Sequence, residues 1–230
     1  MQRYFLHELN QKITGQDAHH IKKVMRMKVS DSIIVCAKKE CFLAEIKSID
    51  DDVTYQIKEA LTKPNTWDVT VIQGLPKHPK SEIVMKQATI FGASKIILAG
   101  MKRSIAKLEN ESNKIKRYET IIKEASELAH RFDVPMLELQ KSMKDVDLSA
   151  YDLLLLADEN EQTRLLKDVI KPDHKNLKIA VIIGPEGGIS DEERSYLKKV
   201  GCITISLGKL IIPTELASLY VLSYLSAEFS

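Results

Sequence analysis

The chain has 230 residues, a formal net charge of +2, 44% hydrophobic residues and 29% charged residues. That balance describes a globular chain with a core to bury, and it excludes disordered and fibrous classes. No apolar run approaches the roughly 20 residues of a membrane span. "MQRYFLHELNQK" lacks the h-region and cleavage site of a signal peptide, so the expected location is the cytoplasm, with no membrane partner.

Residues 1–68 read as a small β-barrel. "DAHHIKKVMRM" places Ala18, Ile21, Val24, Met25 and Met27 at helical spacing, with Asp17 as the expected cap. "DSIIVCA", "CFLAEIKSI" and "DVTYQIKEA" follow as strands rich in β-branched and aromatic residues. "LTKPNTW" has the proline and polar character of a linker. Cys36, Cys41 and Cys202 are odd in number and lack metal-ligand spacing, so free thiols and no metal site are expected.

Residues 69–230 change to strand–helix alternation. "WDVTVIQGL" is a strand, and "KSEIVMKQATIFGA" a helix with Ile83, Val84, Ala88 and Phe91 on one side. "KIILAG" is the next strand. "NKIKRYETIIKEASELAHRF" is a long helix whose stripe is Ile115, Tyr118, Ile121, Ile122, Ala125, Leu128 and Ala129. "DLLLLAD" and "KIAVIIG" are apolar throughout, as strands covered on both faces must be. "SDEERSYLKKVG" is a helix with Ser190 and Glu193 at capping-box spacing and Gly201 as terminator. "CITISL" and "TELASLYVLSYLSAEF" close the chain as strand and helix. Such alternation means a parallel sheet with helices on its faces, an α/β fold.

Charge is unevenly distributed. From Lys77 to Arg131 basic residues are twice as frequent as acidic ones, and from Phe132 to Asp168 the excess reverses. The basic stretch points to an anionic partner, or to a solvated helix surface.

In a covered parallel sheet, ligands sit beyond the carboxyl ends of the strands. Three such ends carry unusual residues: "LADEN", "GPEGG" and "LGKLIIPTELA". The glycine turn resembles a phosphate cradle but matches neither G-x-G-x-x-G nor the P-loop. Glu186 in its middle would repel a phosphate. A carboxylate among glycines suits a ligand with positive charge and hydroxyls, and S-adenosylmethionine has both. The alternative is that Glu186 only bridges backbone N–H groups of its own loop.

"GPEGG" followed by "LG" and "TE.A" resembles the C-terminal signature of the SPOUT methyltransferases, in particular the family that methylates N3 of a uridine in 16S ribosomal RNA. "MQRYFL", "DAHHIKKVMRMKVSD", "QGLPK", "RSIAKL", "KRYETIIKEA", "IIGPEGGISDEE" and "TELASLYVLS" fall in that family's order. The resemblance implies an N-terminal PUA-like β-barrel, a C-terminal SPOUT α/β domain with a trefoil knot, and a homodimer acting on ribosomal RNA or the 30S subunit. It also implies S-adenosyl-L-methionine held by Leu156, Ala157, Ile183, Gly184, Pro185, Glu186, Gly187, Gly188, Leu207 and Gly208, with Ile211 near the adenine. Arg3, His20, Arg26, Lys77, Lys80, Arg103, Arg117 and Arg131 match basic positions and would contact RNA; His20 has a packed role beside the short helix as its alternative. Glu215 and Thr214 are the candidate catalytic pair, orienting the uracil or accepting its N3 proton.

Several positions depart from the pattern. Leu210 and Pro213 stand where the family has arginines, Leu216 replaces a threonine, and Leu128 and Ala129 replace an amide and a hydroxyl. Ile90 and Phe91 stand where glutamate and leucine are usual. Three readings stay open: an active uridine methyltransferase, a methyltransferase for another RNA position, or a catalytically degenerate RNA-binding protein of the same fold.

Overall fold

The structure, a computed structural model, describes residues 1–64, 66–107 and 111–229. Asn65 of the linker and Leu108, the last residue of "RSIAKL", lie outside the described residues. The chain forms two compact units, Met1–Asn65 with Ser126–Val134, and Thr66–Ala125 with Pro135–Ser230.

The first unit is a five-stranded mixed sheet. Its strands are β1 (Arg3–Phe5), β2 (Lys12–Ile13), β3 (Ser32–Ala37), β4 (Glu40–Ile49) and β5 (Val53–Ala60). They lie in the order β1-β3-β4-β5-β2, with β1 parallel to β3 and the other ladders antiparallel. No ladder joins β1 to β2 among the described residues, so this is a half-barrel open at both edges. Both edge strands are too short to carry a readable alternation, and the sequence reading lacks them. Tyr4, Ile33, Val35, Ala44, Ile46 and Tyr55 fill its interior.

The helix after β2 is α1 (Gly15–His19), which widens into a π-turn over His20–Val24. Thr14, not Asp17, takes the N-cap position, and Asp17 falls in the first turn. Ala18 and Ile21 are buried while Val24 and Met25 are exposed, because the π-turn rotates the face that continuous α-spacing would have kept inward.

The expectation of three free thiols is corrected. Lys38 and Lys39 both adopt positive φ, 49° and 67°, forming a two-residue turn that sets Cys36 directly opposite Cys41. The two are joined as a disulfide. Cys202 is free, and burial pushes its thiol up to about 12.

The second unit holds a six-stranded sheet whose ladders are all parallel. Its strands are β6 (Asp68–Gly74), β7 (Lys95–Ala99), β8 (Met136–Gln140), β9 (Leu153–Ala157), β10 (Lys178–Ile183) and β11 (Ile203–Ile205). The spatial order is β11-β9-β10-β6-β7-β8. Its helices are α2 (Lys80–Ile90), α3 (Glu111–Leu128, of which residues 126–128 belong to the first unit), the single turn α4 (Leu166–Val169), α5 (Asp191–Lys199) and α6 (Thr214–Phe229). Along β10, Ile179, Val181 and Ile183 enter one core, and Ala180 and Ile182 enter the other. The strand period of two therefore fills both faces, and each fully buried Val or Ile contributes about 1.5–3 kcal/mol. β8 carries no clear strand signal in the sequence, because "MLELQ" is a short segment with polar Glu138 and Gln140 and no β-branched residue.

Ser190 caps α5 as the spacing predicts: its Oγ accepts from Glu193 N at 3.3 Å, and Glu193 Oε2 accepts from Ser190 N at 3.1 Å. In α3, Tyr118, Ile122 and Ala125 are buried, but Leu128 is 67% exposed and drops out of the expected stripe. Phe91 likewise ends α2 exposed.

Candidate functional site

The loops that leave the carboxyl ends of β9, β10 and β11 converge on one cleft of about 900 Å³ in the second unit. Asp158, Glu159, Glu161 and Glu186 face Lys80 and Lys209 around it, an acidic majority. Ile183, Leu207, Ile211 and Ile212 supply apolar wall.

The glycine loop is shaped by what crowds it. A Cβ on Gly187 would come within 2.9 Å of Arg103 Cβ, and Arg103 Nη1 donates to Gly187 O at 3.2 Å. Gly188 has φ +70°, and a Cβ there would fall on the carboxylate of Glu159. Glu159 therefore lies flat against the loop backbone, and among the described residues no hydrogen bond or ion pair occupies its carboxylate. The sequence offered no signal for it beyond its place in "LADEN".

Glu186 does not bridge its own loop. Its Oε1 accepts from the backbone N–H of Lys77, 3.0 Å away on the turn between β6 and α2, and lies 3.9 Å from Lys80 Nζ. Lys80 Nζ also stands 3.0 Å from Glu215 Oε2. Lys80 lines the cleft, whereas Glu215 is not among the lining residues, so Lys80 is the group at the wall and Glu215 stands behind it.

Two further contacts hold the loops. Thr214 Oγ1 donates to Gly184 O at 2.5 Å and accepts from Gln73 Nε2 at 2.8 Å. Gln73 Nε2 also donates to Gly184 O at 3.1 Å, so a buried amide at the end of β6 clasps the glycine loop to the start of α6. Asp158, buried beneath the cleft, receives Arg194 Nε at 2.5 Å and Nη2 at 3.2 Å. The hydrogen bond to Asp158 raises the Arg194 guanidinium further, against its own desolvation. Spacing within "LADEN" and α5 could not have paired these two residues.

Of the residues expected to hold the cofactor, Ala157, Ile183, Gly184, Pro185, Glu186, Gly187, Gly188, Leu207, Gly208 and Ile211 line the cleft. Leu156 does not: its side chain points into the core on the opposite face of β9.

The basic positions divide. Arg3 is buried; its guanidinium donates to Arg131 O, lies 5.1 Å from the Phe132 ring centre, and is lowered by desolvation. Arg131 binds Asp133 Oδ1 at 2.9 Å and Asp133 O at 3.2 Å. Burial raises the Asp133 carboxyl, but Arg131 and Lys63 bring it below its ordinary value. His20 is half-buried, and its Nδ1 meets Tyr4 OH at 3.1 Å. Arg117 pairs with Glu82 at 2.5 Å. Arg3 and Arg131 are thus structural in the first unit, and Lys80 is committed to two carboxylates. Arg26, Lys77, Arg103 and Arg117 keep exposed side chains.

Comparison with known proteins gives the family. Residues 63–226 match the model of the RNA methyltransferase domain, and residues 13–53 match that of the RNA methyltransferase PUA domain. A Bacillus subtilis protein named ribosomal RNA small subunit methyltransferase E is 32% identical, with 99% of this chain and 97% of that protein covered. A Rickettsia conorii protein of the same name is 29% identical over 87% of this chain and 82% of its own length. Among solved structures, a Neisseria gonorrhoeae ribosomal RNA small subunit methyltransferase E bound to S-adenosyl methionine superposes with a TM-score of 0.88 at 20% identity, covering 100% and 98% of the two chains. The last match speaks to the fold alone. A PUA-type unit, a parallel α/β unit with its strand-end cleft, and a relative aligned along almost the whole length place this chain in the RNA methyltransferase family.

Proposed function

We propose that the protein is an S-adenosylmethionine-dependent methyltransferase that modifies N3 of a uridine in small-subunit (16S) ribosomal RNA. The observation that carries this reading is the carboxylate of Glu159, laid against Gly188 in an acidic cleft and without a hydrogen bond or close ion pair among the described residues. A phosphorylated cofactor would meet like charge there, while a sulfonium with an ammonium meets a counter-ion. A cleft of about 900 Å³ lies within the usual range for small ligands, about 300–1,000 Å³. When bound, S-adenosylmethionine supplies an electrophilic methyl group.

The chain's own residues supply the rest. Glu159 and Glu186 offer negative charge, and Ile183, Leu207 and Ile211 offer apolar wall to the adenine. The Gln73–Thr214–Gly184 clasp fixes the glycine loop, which is positional catalysis. In this reading Lys80, at the cleft wall, orients the uracil edge, and Glu215, 3.0 Å behind its ammonium, is the candidate acceptor of the N3 proton. N3 lies on the Watson–Crick edge, so the base enters unpaired. Arg26, Lys77, Arg103 and Arg117 are the remaining RNA contacts of this reading.

The reading includes a trefoil knot through the three strand-end loops and a homodimer. Leu210 and Ile211 are 82% and 81% exposed, and Leu216 and Tyr220 add to the same apolar segment, a surface suited to a second copy. Sedimentation velocity of wild type and Leu210→Lys/Leu216→Lys tests this; a wild-type monomer refutes it.

For the function, ribosomal RNA from a strain lacking the gene is incubated with the protein and S-adenosylmethionine, and the product mapped by mass spectrometry. A single N3-methyluridine is expected. A methyl group on another base overturns the specificity. Calorimetric binding of S-adenosylmethionine without transfer favours the degenerate reading, which the apolar Leu210 and Pro213 at arginine positions support.

A further inference from the structure

Beyond the carboxyl ends of β7 and β8 lies a second cleft, of about 550 Å³, that the proposed cofactor site does not use. Lys102 and Lys107 reach it from the turn after β7, and Lys141 and Lys144 from the turn after β8. Met101 and Met143 form its apolar floor, and α5 contributes Tyr196, Glu192 and Glu193. The two glutamates differ. Glu193 is turned inward, accepting from Ser190 N at 3.1 Å, the Ser190 hydroxyl at 2.6 Å and Lys102 N at 2.7 Å. Glu192 is 61% exposed on its side chain and spans the two turns, 3.3 Å from Lys102 Nζ and 3.2 Å from Lys144 Nζ.

Two ammonium groups, one from each turn, therefore bracket one surface carboxylate, which fills the position between Lys102 and Lys144 that a phosphate oxygen would take, and Lys107 and Lys141 line the same cleft. The neighbouring residue, Arg103, closes on Gly187 of the first cleft, so residues 102 and 103 form the divide between the clefts. The sequence hides this arrangement, since Lys141 and Lys144 fall in the acidic stretch.

We propose that the second cleft is an RNA-phosphate site, holding one nucleotide of a single strand next to the nucleotide presented to the first cleft. The lysines grip its phosphate and Tyr196 offers a ring to its base. Glu192 holds Lys102 and Lys144 together until the phosphate replaces it. The volume suits one nucleotide. This inference rests on the RNA methyltransferase reading for its partner but not on catalysis.

The test uses the full chain and fluorescence anisotropy with a short fluorescein-labelled single-stranded RNA across a salt series. Lys141→Ala/Lys144→Ala should weaken binding roughly 10-fold near 0.1 M salt and make the log–log slope shallower by about 0.7, one single-strand phosphate contact. Glu192→Gln should strengthen binding, roughly 3-fold or more, because it removes a competing anion. Circular dichroism melts confirm that each variant is folded, and Lys141→Arg/Lys144→Arg should restore the slope. An unchanged slope in the alanine pair overturns the site, as does weaker binding by Glu192→Gln. Calorimetry with S-adenosylmethionine separates the two ideas: if wild type binds none while the slope still responds, the cofactor reading fails and the phosphate site stands.

Discussion

Lys80 and Glu215 meet at 3.0 Å, joining the first turn of α2 to the first turn of α6, with Glu186 as a second carboxylate 3.9 Å from the same ammonium. The sequence distributes these residues among RNA binding, catalysis and cofactor binding, yet the fold makes one cluster of them. Lys80→Met leaves two carboxylates without their shared cation. The side chains are 34% and 17% exposed, so solvent screening holds the stability loss to about 1–2 kcal/mol. Methyl transfer should fall at least 10-fold, while RNA affinity and its salt slope stay at wild-type values. A slope reduced by about 0.7, one single-strand phosphate contact, would return Lys80 to the RNA surface.

Thr214 is held where it can do little proton chemistry, since its hydroxyl hydrogen is directed at Gly184 O. Thr214→Val keeps the shape but removes the donor to Gly184 O and the acceptor of Gln73 Nε2. Chemical denaturation should show a loss of about 1–2 kcal/mol. Thr214→Ser restores both bonds and should recover stability and transfer together. Recovery of stability without transfer would assign the methyl group of Thr214 a role in the site.

Gly188→Ala confronts two separate costs: a φ of +70° and the Glu159 carboxylate where the Cβ would lie. A loss of about 1–3 kcal/mol is expected, along with weaker S-adenosylmethionine binding. In Glu159→Ala/Gly188→Ala the collision is gone and only the backbone cost remains, so the double variant should be more stable than the sum of the single ones. Strict additivity would show that Glu159 moves aside freely. Glu159→Gln alone should weaken binding of the cationic cofactor, by calorimetry, without moving the melting temperature.

The elements that were legible are those whose local and global signals agree. β9 and β10 are apolar throughout because both faces of the sheet are covered, and the Ser190–Glu193 box caps α5 from spacing alone. The glycine loop and its neighbouring strand ends were legible because strand-end position and absent Cβ atoms are both written in the sequence. What was not legible depends on tertiary partners. Arg3 reads as a surface cation, but the carbonyl of Arg131, more than a hundred residues away, and the Phe132 ring receive it. The short strands β1 and β2 carry too few residues for periodicity. Leu128 has the right spacing for the α3 stripe but sits where that stripe turns outward. The Cys36–Cys41 bridge follows from a two-lysine turn that no turn preference for Asn or Gly would flag.

Acid should loosen the cofactor cleft through Glu161. Its carboxylate accepts from Thr163 N at 2.9 Å, the Thr163 hydroxyl at 2.7 Å and Arg164 N at 3.1 Å, and these bonds, those from Thr163 foremost, lower it from 4.5 to about 2. A carboxylate depressed on folding adds stability that is fully present above its unfolded value, and that stability is lost as pH falls through the folded value. The window is therefore between about 4.5 and 2. Glu161→Gln keeps an acceptor oxygen but no charge, so its melting temperature should lie below that of wild type by a constant margin above pH 4.5 and converge with it as pH approaches 2. A margin that is unchanged across this window would mean that the turn at residues 161–164 does not depend on the charge of Glu161.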